Sequence, residues 1–275
     1  MPIVAITREM GSLGKDVAAG LGEALGLPVV YHEVIEHLAD RMRLRKSHVI
    51  RLLDGKAGLL ERLTADKTSL SIFSADEIMG LALQGRGAVI RGWGATHLLR
   101  EVPHAVCVRV CAPFELRRQR MLERLNTADA DKVGDEIRTN DESHAAIMRR
   151  HFDVHWSDSE HYDLSLNTQR VGVQECIDEV LALVRSAEFT ETEQSRQKLA
   201  NLALAAGVRA ALRTAAATRD LRVSVACAGG RVTLDGVVDS GEQRAACAQV
   251  AGAVAGVRDV EDRLRAVDEV RPRYH

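Results

Sequence analysis

The chain has 275 residues, room for one to three domains, and its 46% hydrophobic and 28% charged content is that of an ordinary globular protein. A net charge of -2 and 3% aromatic residues argue against nucleic acid as a partner, since neither a basic surface nor a stacking platform is evident. No stretch approaches the roughly 20 apolar residues of a transmembrane segment, no secretory leader is evident, and five cysteines without paired short spacing argue against a disulfide framework or a zinc site; these signs together predict a cytoplasmic protein.

The first predicted element is a buried strand, the apolar run at residues 3–6. It passes through a loop holding Gly11, Ser12, Leu13 and Gly14 into a helix marked by Val17, Leu21 and Leu25. Lys15 and Asp16 stand at the helix start. Strand, glycine loop and helix with a lysine at its head form a layout suited to phosphate, which backbone N–H groups, the helix dipole and a mobile cation would hold. The match to the phosphate-loop pattern G-x-x-x-x-G-K-[ST] is partial. Gly14 and Lys15 fit, whereas Glu9 stands at the first glycine position and Asp16 where a magnesium-binding hydroxyl is usual. An aspartate is also a magnesium ligand, and a plain glycine turn is the alternative to a phosphate cradle.

A short strand is expected at residues 29–31 and a helix from His32. Arg41, Arg43, Arg45, Lys46 and Arg51 then form a basic run, either a solvated face or a help in gathering an anion. Helical periodicity covers residues 57–84. A strand follows at 88–90, then the turn Arg91-Gly92-Trp93-Gly94, a short helix, and a strand at 105–110. Pro113 opens the next helix, where Arg117, Arg120 and Arg124 share a face at spacings of three and four. Residues 129–161 are polar and helical and carry Arg138 and Asp141; they read as a closing lid or as a solvated helical hairpin. His151 and His155 are four apart but lack a third ligand at fixed spacing, so a metal site is not expected there. A strand at 162–166 and a helix at 173–184 complete an alternation of short apolar strands with helices, the pattern of a parallel sheet covered on both faces.

Residues 188–195 are polar and read as a linker or helix lead-in, with helical pattern resuming at Leu199. Alternating runs on either side of Gly229-Gly230 predict a hairpin. A helix at 242–254 and a strand at 260–267 follow, giving the order αββαβ.

Residues 1–187 resemble the cytidylate kinase-like proteins, relatives of the nucleoside monophosphate kinases. The resemblance rests on Thr7-Arg8-Glu9-x-Gly11-Ser12-x-Gly14-Lys15, on Val89-Ile90-x-Gly92-x-Gly94-Ala95, on the arginine helix after Ala112-Pro113, and on Tyr162-Asp163-Leu164-x-Leu166-Asn167-Thr168-x-Arg170-x-Gly172. It implies an α/β fold, a three-layer parallel sheet with a phosphate loop and a helical lid. It also implies transfer of the γ-phosphate of ATP to a nucleoside monophosphate, with Mg2+ and with Asp16 as a possible ligand of the metal. Gly11 to Asp16 would cradle the ATP phosphates, and Lys15, Arg117, Arg120, Arg124 and Arg138 would stabilise the transferring group. The acceptor would sit near His32, Gly92, Trp93, Gly94 and Asp141. Relatives usually carry aspartate at the position of His32, arginine at that of Trp93 and arginine at that of His144. These departures keep open a second reading, a nucleotide-binding sensor with weak or no turnover. Residues 196–270 resemble the BON domain, on Gly230-x-Val232-Thr233-Leu234-x-Gly236-x-Val238 and Val254-x-Gly256-Val257-x-x-Val260. That resemblance implies a small α+β module for a protein partner or self-association, with a lipid surface the less favoured alternative because no large basic-aromatic patch is visible.

Overall fold

The computed structural model of the protein describes residues 1–53, 67–92 and 94–270. The chain forms two compact units, Met1–Asp66 with Gln84–Ser195, and Lys67–Leu83 with Arg196–His275.

The first unit is built on five parallel strands in the order β2-β3-β1-β4-β5: β1 (Ile3–Arg8), β2 (Val29–Val30), β3 (Ala88–Arg91), β4 (Ala105–Cys111) and β5 (Leu164–Asn167). The central strand is apolar because both of its faces are covered. Ile3, Val4, Ala5 and Ile6 are all fully buried. Val4 and Ile6 of β1 and Val106, Val108 and Val110 of β4, two apart along each strand, join one core cluster. Val17 and Leu21 of α1 (Gly14–Leu25) and Ile177 and Val180 of the helix Val173–Val184 belong to the same cluster. The apolar repeat of α1 is therefore its sheet-facing stripe.

Between β2 and β3 lie α2 (His32–Met42), α3 (Lys46–Leu53) and α4 (Lys67–Leu83). The expected helical stretch is seen from Lys67 onward, and its earlier part lies outside the described residues. After β3 come α5 (Ala95–Leu98) and a 3-10 turn, Leu99–Glu101. Pro113 caps α6 (Phe114–Leu125). The polar segment beyond it is one helix, α7 (Ala130–Phe152), rather than a hairpin. The Asp129 side chain accepts a hydrogen bond from the Lys132 N–H and so starts it, and Asp153 in the left-handed region ends it. The helix Val173–Val184 is α8.

The second unit carries a mixed sheet in the order β6-β7-β8: β6 (Val223–Ala228), β7 (Arg231–Val238) and β8 (Asp259–Ala266). The predicted hairpin is present. Ala228 pairs with Arg231, and the two intervening residues, Gly229 and Gly230, have φ of 59° and 86°, the handedness a two-residue turn of the primed type needs. β7 and β8 run parallel, so the chain crosses over through α10 (Gly241–Gly252), whose first turn is capped by Ser240. The long helix α9 (Glu193–Thr214) begins six residues ahead of Leu199. Thr192 and Ser195 cap it reciprocally, each side-chain oxygen accepting from the other's backbone N–H at 2.9 and 3.1 Å. Val232, Leu234, Cys247, Ala251 and Leu264 are core residues packed with Val208 of α9. Helix α4 belongs to this unit, where Arg213 donates to the Ser69 hydroxyl at 2.7 Å. A short helix, α11 (Val267–Val270), follows β8. Among the described residues, no helix is long and apolar enough to cross a membrane.

Leu234 is fully buried on the inner face of β7. Leu234→Ala should destabilise the second unit by about 2–5 kcal/mol, the usual cost of emptying a buried leucine site. Urea unfolding of the full chain measures it.

Candidate phosphate site

The carboxyl ends of β1, β3 and β4 lie side by side, with Ile6 level with Arg91 and Arg8 level with Val110. This is the edge of an open parallel sheet where ligands collect. The loop from Glu9 to Leu13 leaves β1 here and runs into α1. Gly11 has φ +81°, and a Cβ on it would lie 2.7 Å from the Arg117 carbonyl oxygen, so only glycine fits. Leu13 also sits in the left-handed region, at φ 62°, and no side chain caps the first turn of α1. An uncapped helix start is a site for an anion.

The loop is held from below by a set of charged contacts. Glu9 pairs with Arg109 at 2.6 Å and with Arg117 at 3.4 Å, and accepts the Ala112 N–H at 3.1 Å. Arg117 is buried and donates to the carbonyls of Ala112 at 2.9 Å and Met10 at 3.3 Å. Its remaining donors meet Asp141 of α7, at 2.9 and 3.2 Å. Arg120 donates to the hydroxyl and the carbonyl of Thr168, and that hydroxyl donates to the Ser12 carbonyl at 2.9 Å. From the other side, the buried Trp156 donates its indole N–H to the Thr7 hydroxyl at 2.8 Å and stacks on His144.

Above the loop positive charges predominate. Burial lowers the pKa of Lys15, and the positive charges of Arg8, Arg91 and Arg124 lower it further, while Asp16 opposes them. Arg91 is lowered too, first by burial and then by Arg8 and Arg124, with the Tyr31 phenol acting the other way. Four cations on one edge repel each other, and a polyphosphate anion would relieve that repulsion. Asp16 is exposed on the first turn of α1 beside Lys15 and offers the hard oxygen a magnesium ion takes.

The structure thus places the expected residues unequally. Arg117 and Arg120 reach the loop but hold protein groups, and Arg124 adds charge near Lys15. Arg138 is exposed, pairs with Asp135 at 2.9 Å and lies over the Phe114 ring. The carboxylate of Asp141 is engaged by Arg117. Ser12 is fully buried, and its hydroxyl oxygen has no partner among the described residues. Gly92 and Gly94 turn the chain at the end of β3, where the Gly92 N–H donates to the Ile6 carbonyl at 2.9 Å. The His32 side chain and Trp93 lie outside the described residues, as does the His151 side chain. Arg8 and Arg91 are members of the cationic edge that the sequence reading does not select. Their signal is position, since each is the last residue of an apolar strand. Asp158, Glu160 and His161 form a group of potential metal ligands at the opposite edge, ahead of the start of β5.

Removing Glu9 would leave the buried Arg117 and the partly buried Arg109 with one fewer counter-charge. Glu9→Ala should therefore destabilise the first unit by about 3–5 kcal/mol, as loss of one partner of a buried ion pair does. Urea unfolding against wild type is the measurement.

The cytidylate kinase-like family model matches residues 3–170, more than half of the chain, and the BON domain model matches residues 201–268. No curated protein matches the chain. Among solved structures, an uncharacterized protein from Eubacterium ventriosum is similar at 20% identity over 68% of this chain and 99% of its own, with a TM-score of 0.53, a likeness of fold. A shikimate kinase from Acinetobacter baumannii in complex with shikimate aligns at 15% identity over 69% and 96% of the two chains, with a TM-score of 0.42. A shikimate kinase from Bacteroides thetaiotaomicron aligns at 12% over 67% and 99%, with a TM-score of 0.41. With its phosphate-loop layout, its five-stranded parallel sheet and a family match across residues 3–170, the chain belongs to the cytidylate kinase-like family and carries a BON domain after it.

Proposed function

We propose that the first unit is a phosphotransferase that binds ATP with Mg2+ on the loop from Gly11 to Asp16 and moves the γ-phosphate to a small nucleotide. The single observation that carries this reading is the cluster of Lys15 with Arg8, Arg91 and Arg124 above an uncapped helix start. An acceptor oxygen attacks the γ-phosphorus, the bond from that phosphorus to the β–γ bridging oxygen breaks, and its electron pair leaves with ADP. Lys15 would meet the β- and γ-phosphates, and Arg8 and Arg124 would offset the charge that spreads over the transferring oxygens. Asp16 would hold magnesium, which would supply further neutralisation of the phosphates. Arg117 and Arg120 are positioning residues, which fix the loop through Met10 and Thr168. Arg138 faces Asp135 in this structure, and the proposed step does not use it.

The BON unit serves as a docking module for a protein partner or a second copy of the chain. A groove of about 430 Å3, lined by Leu204, Val254 and Arg258 among others, offers a surface for such a contact. One observation favours the sensor alternative: Arg117 holds both oxygens of Asp141, a residue expected to meet the acceptor. Coupled ADP-release assays with nucleoside monophosphates separate the two readings. Acceptor-dependent turnover of about 1 per second or more supports the enzyme; tight ATP binding without turnover supports the sensor.

Lys15→Ala should weaken ATP·Mg binding by about 1.5–3 kcal/mol, tenfold or more, as loss of a charge-assisted hydrogen bond does, and calorimetry reads it. Equal affinity in the two proteins would remove the cradle. The proton on Lys15 is held less tightly than on an ordinary lysine, whose pKa is 10.5. Its charge is present below the lowered pKa and lost as pH rises through it. ATP affinity should therefore fall on the alkaline side before pH 10.5, and Lys15→Arg, which keeps its charge, should flatten that fall. Titrations across alkaline pH check the difference.

A further inference from the structure

Resting on the docking-module reading above, we propose that the groove of the second unit captures the carboxyl-terminal end of a partner protein whose last residue is apolar, with the Arg258 guanidinium on the terminal carboxylate. The groove has three apolar walls: Leu83 ends α4, Leu204 stands on α9, and Val254 follows α10. All three belong to the second unit. Leu83 lies outside the BON match, so the inserted helix adds a wall that residues 201–268 by themselves lack. Its side chain is 42% exposed, an apolar surface with room for another side chain against it. The groove, about 430 Å3, has the size of a ligand cleft.

Arg258 lines the same groove and is exposed. Its stem crosses the hairpin turn, since a Cβ on Gly230 would lie 3.0 Å from the Arg258 Cγ and Cδ, and its N–H donates to the Gly230 carbonyl at 2.8 Å. The stem is thus fixed against backbone while the charged head meets solvent. Among the described residues the guanidinium has no carboxylate partner, and the neighbouring Asp259 is taken by Arg231 at 3.0 Å. None of the described lining residues is acidic, so the charge that complements the groove is one anion. Polar groups also line it. The Asn201 Oδ1 accepts from the Gly229 N–H and from the Gln197 amide, both at 3.0 Å. The Asn201 amide nitrogen and the Gln197 amide oxygen remain, a donor and an acceptor with no partner among the described residues. A peptide backbone has N–H and C=O groups to answer them, whereas an acyl chain would cover them without a hydrogen bond. A membrane surface calls for several cations and aromatic side chains, and the groove offers one cation and no aromatic ring. A chain end satisfies both features at once, its apolar side chain between Leu83, Leu204 and Val254 and its carboxylate on Arg258.

The test uses the full chain and a library of hexapeptides tethered by their amino ends, with varied final positions, each made with a free carboxyl end and as the carboxamide. Wild type should select free-acid peptides that end in Leu, Ile, Val, Met or Phe. Fluorescence anisotropy with a selected peptide should show the free acid bound about tenfold tighter than its carboxamide, as a charge-assisted hydrogen bond provides. Arg258→Gln should erase that difference, Arg258→Lys should restore part of it, and Leu83→Asp should abolish binding of both forms. Both residues are exposed, so the thermal midpoints should stay close to that of wild type; if Leu83→Asp melts lower, Arg258→Gln still decides. The proposal is overturned if no free-acid peptide is selected, if acid and carboxamide bind equally, or if the preference survives Arg258→Gln. Sedimentation velocity and phosphatidylglycerol vesicles test the rival occupants. Self-association that Leu83→Asp abolishes, with no peptide selected, would overturn the chain-end proposal and leave the docking reading standing. Vesicle binding that Arg258→Gln abolishes, with neither peptide selection nor self-association, would remove both.

Discussion

The buried guanidinium of Arg117 is the contact on which the phosphate loop depends. It joins Glu9 at the start of the loop, the Met10 carbonyl within it, the Ala112 carbonyl after β4 and Asp141 on α7. A positive charge this deep is tolerable only when its donors are met, and its partners come from three stretches of chain: the loop, the segment after β4, and α7. The loop conformation is therefore set by tertiary contacts, which allow even Leu13 to sit in a left-handed backbone region disfavoured for a branched side chain. Arg120 and Thr168 repeat the arrangement on the β5 side.

The charges of the first unit fall into two sets, acid–arginine pairs beneath the loop and a cluster of cations at its upper edge. Glu9 and Asp141 meet Arg109 and Arg117 beneath the loop, while Arg8, Lys15, Arg91 and Arg124 share the upper edge. A net charge of -2 for the whole chain conceals this local excess. Overall charge rules on bulk partners such as nucleic acid; it carries no information about an anion site a few ångströms across.

Much of the fold is legible in the sequence because burial leaves a simple trace. The apolar run at β1, the repeat of Val17, Leu21 and Leu25, and the glycine pair between β6 and β7 each report a local rule that the structure obeys. The site is less legible. The arginines of α6 are visible as a basic face, but the face alone does not say that Arg117 turns inward to Asp141 while Arg124 stays exposed. That division depends on what α7 and the loop bring to each position. Arg91 is harder still to read, since it looks like the polar end of a strand until Tyr31, distant by sixty residues, is found against it. The start of α9 is missed for a different reason: its first turn is polar, and a reciprocal Thr192–Ser195 cap rather than an apolar stripe begins it.

The placement of α4 bears on how this protein can be taken apart. The helix lies within the sequence span of the first family match, yet it is part of the same compact unit as the BON strands. The backbone consequently passes from one unit to the other three times, after Asp66, after Leu83 and after Ser195. The last of these passages falls within the continuous helix α9. No single cut yields two whole units. A fragment that starts at the BON match would lack α4, and a fragment that stops before it would carry the apolar side chains of Leu70, Phe73, Ile78 and Met79 away from the unit that holds them. Exchanging the BON module for another would therefore mean replacing an internal helix as well as the tail.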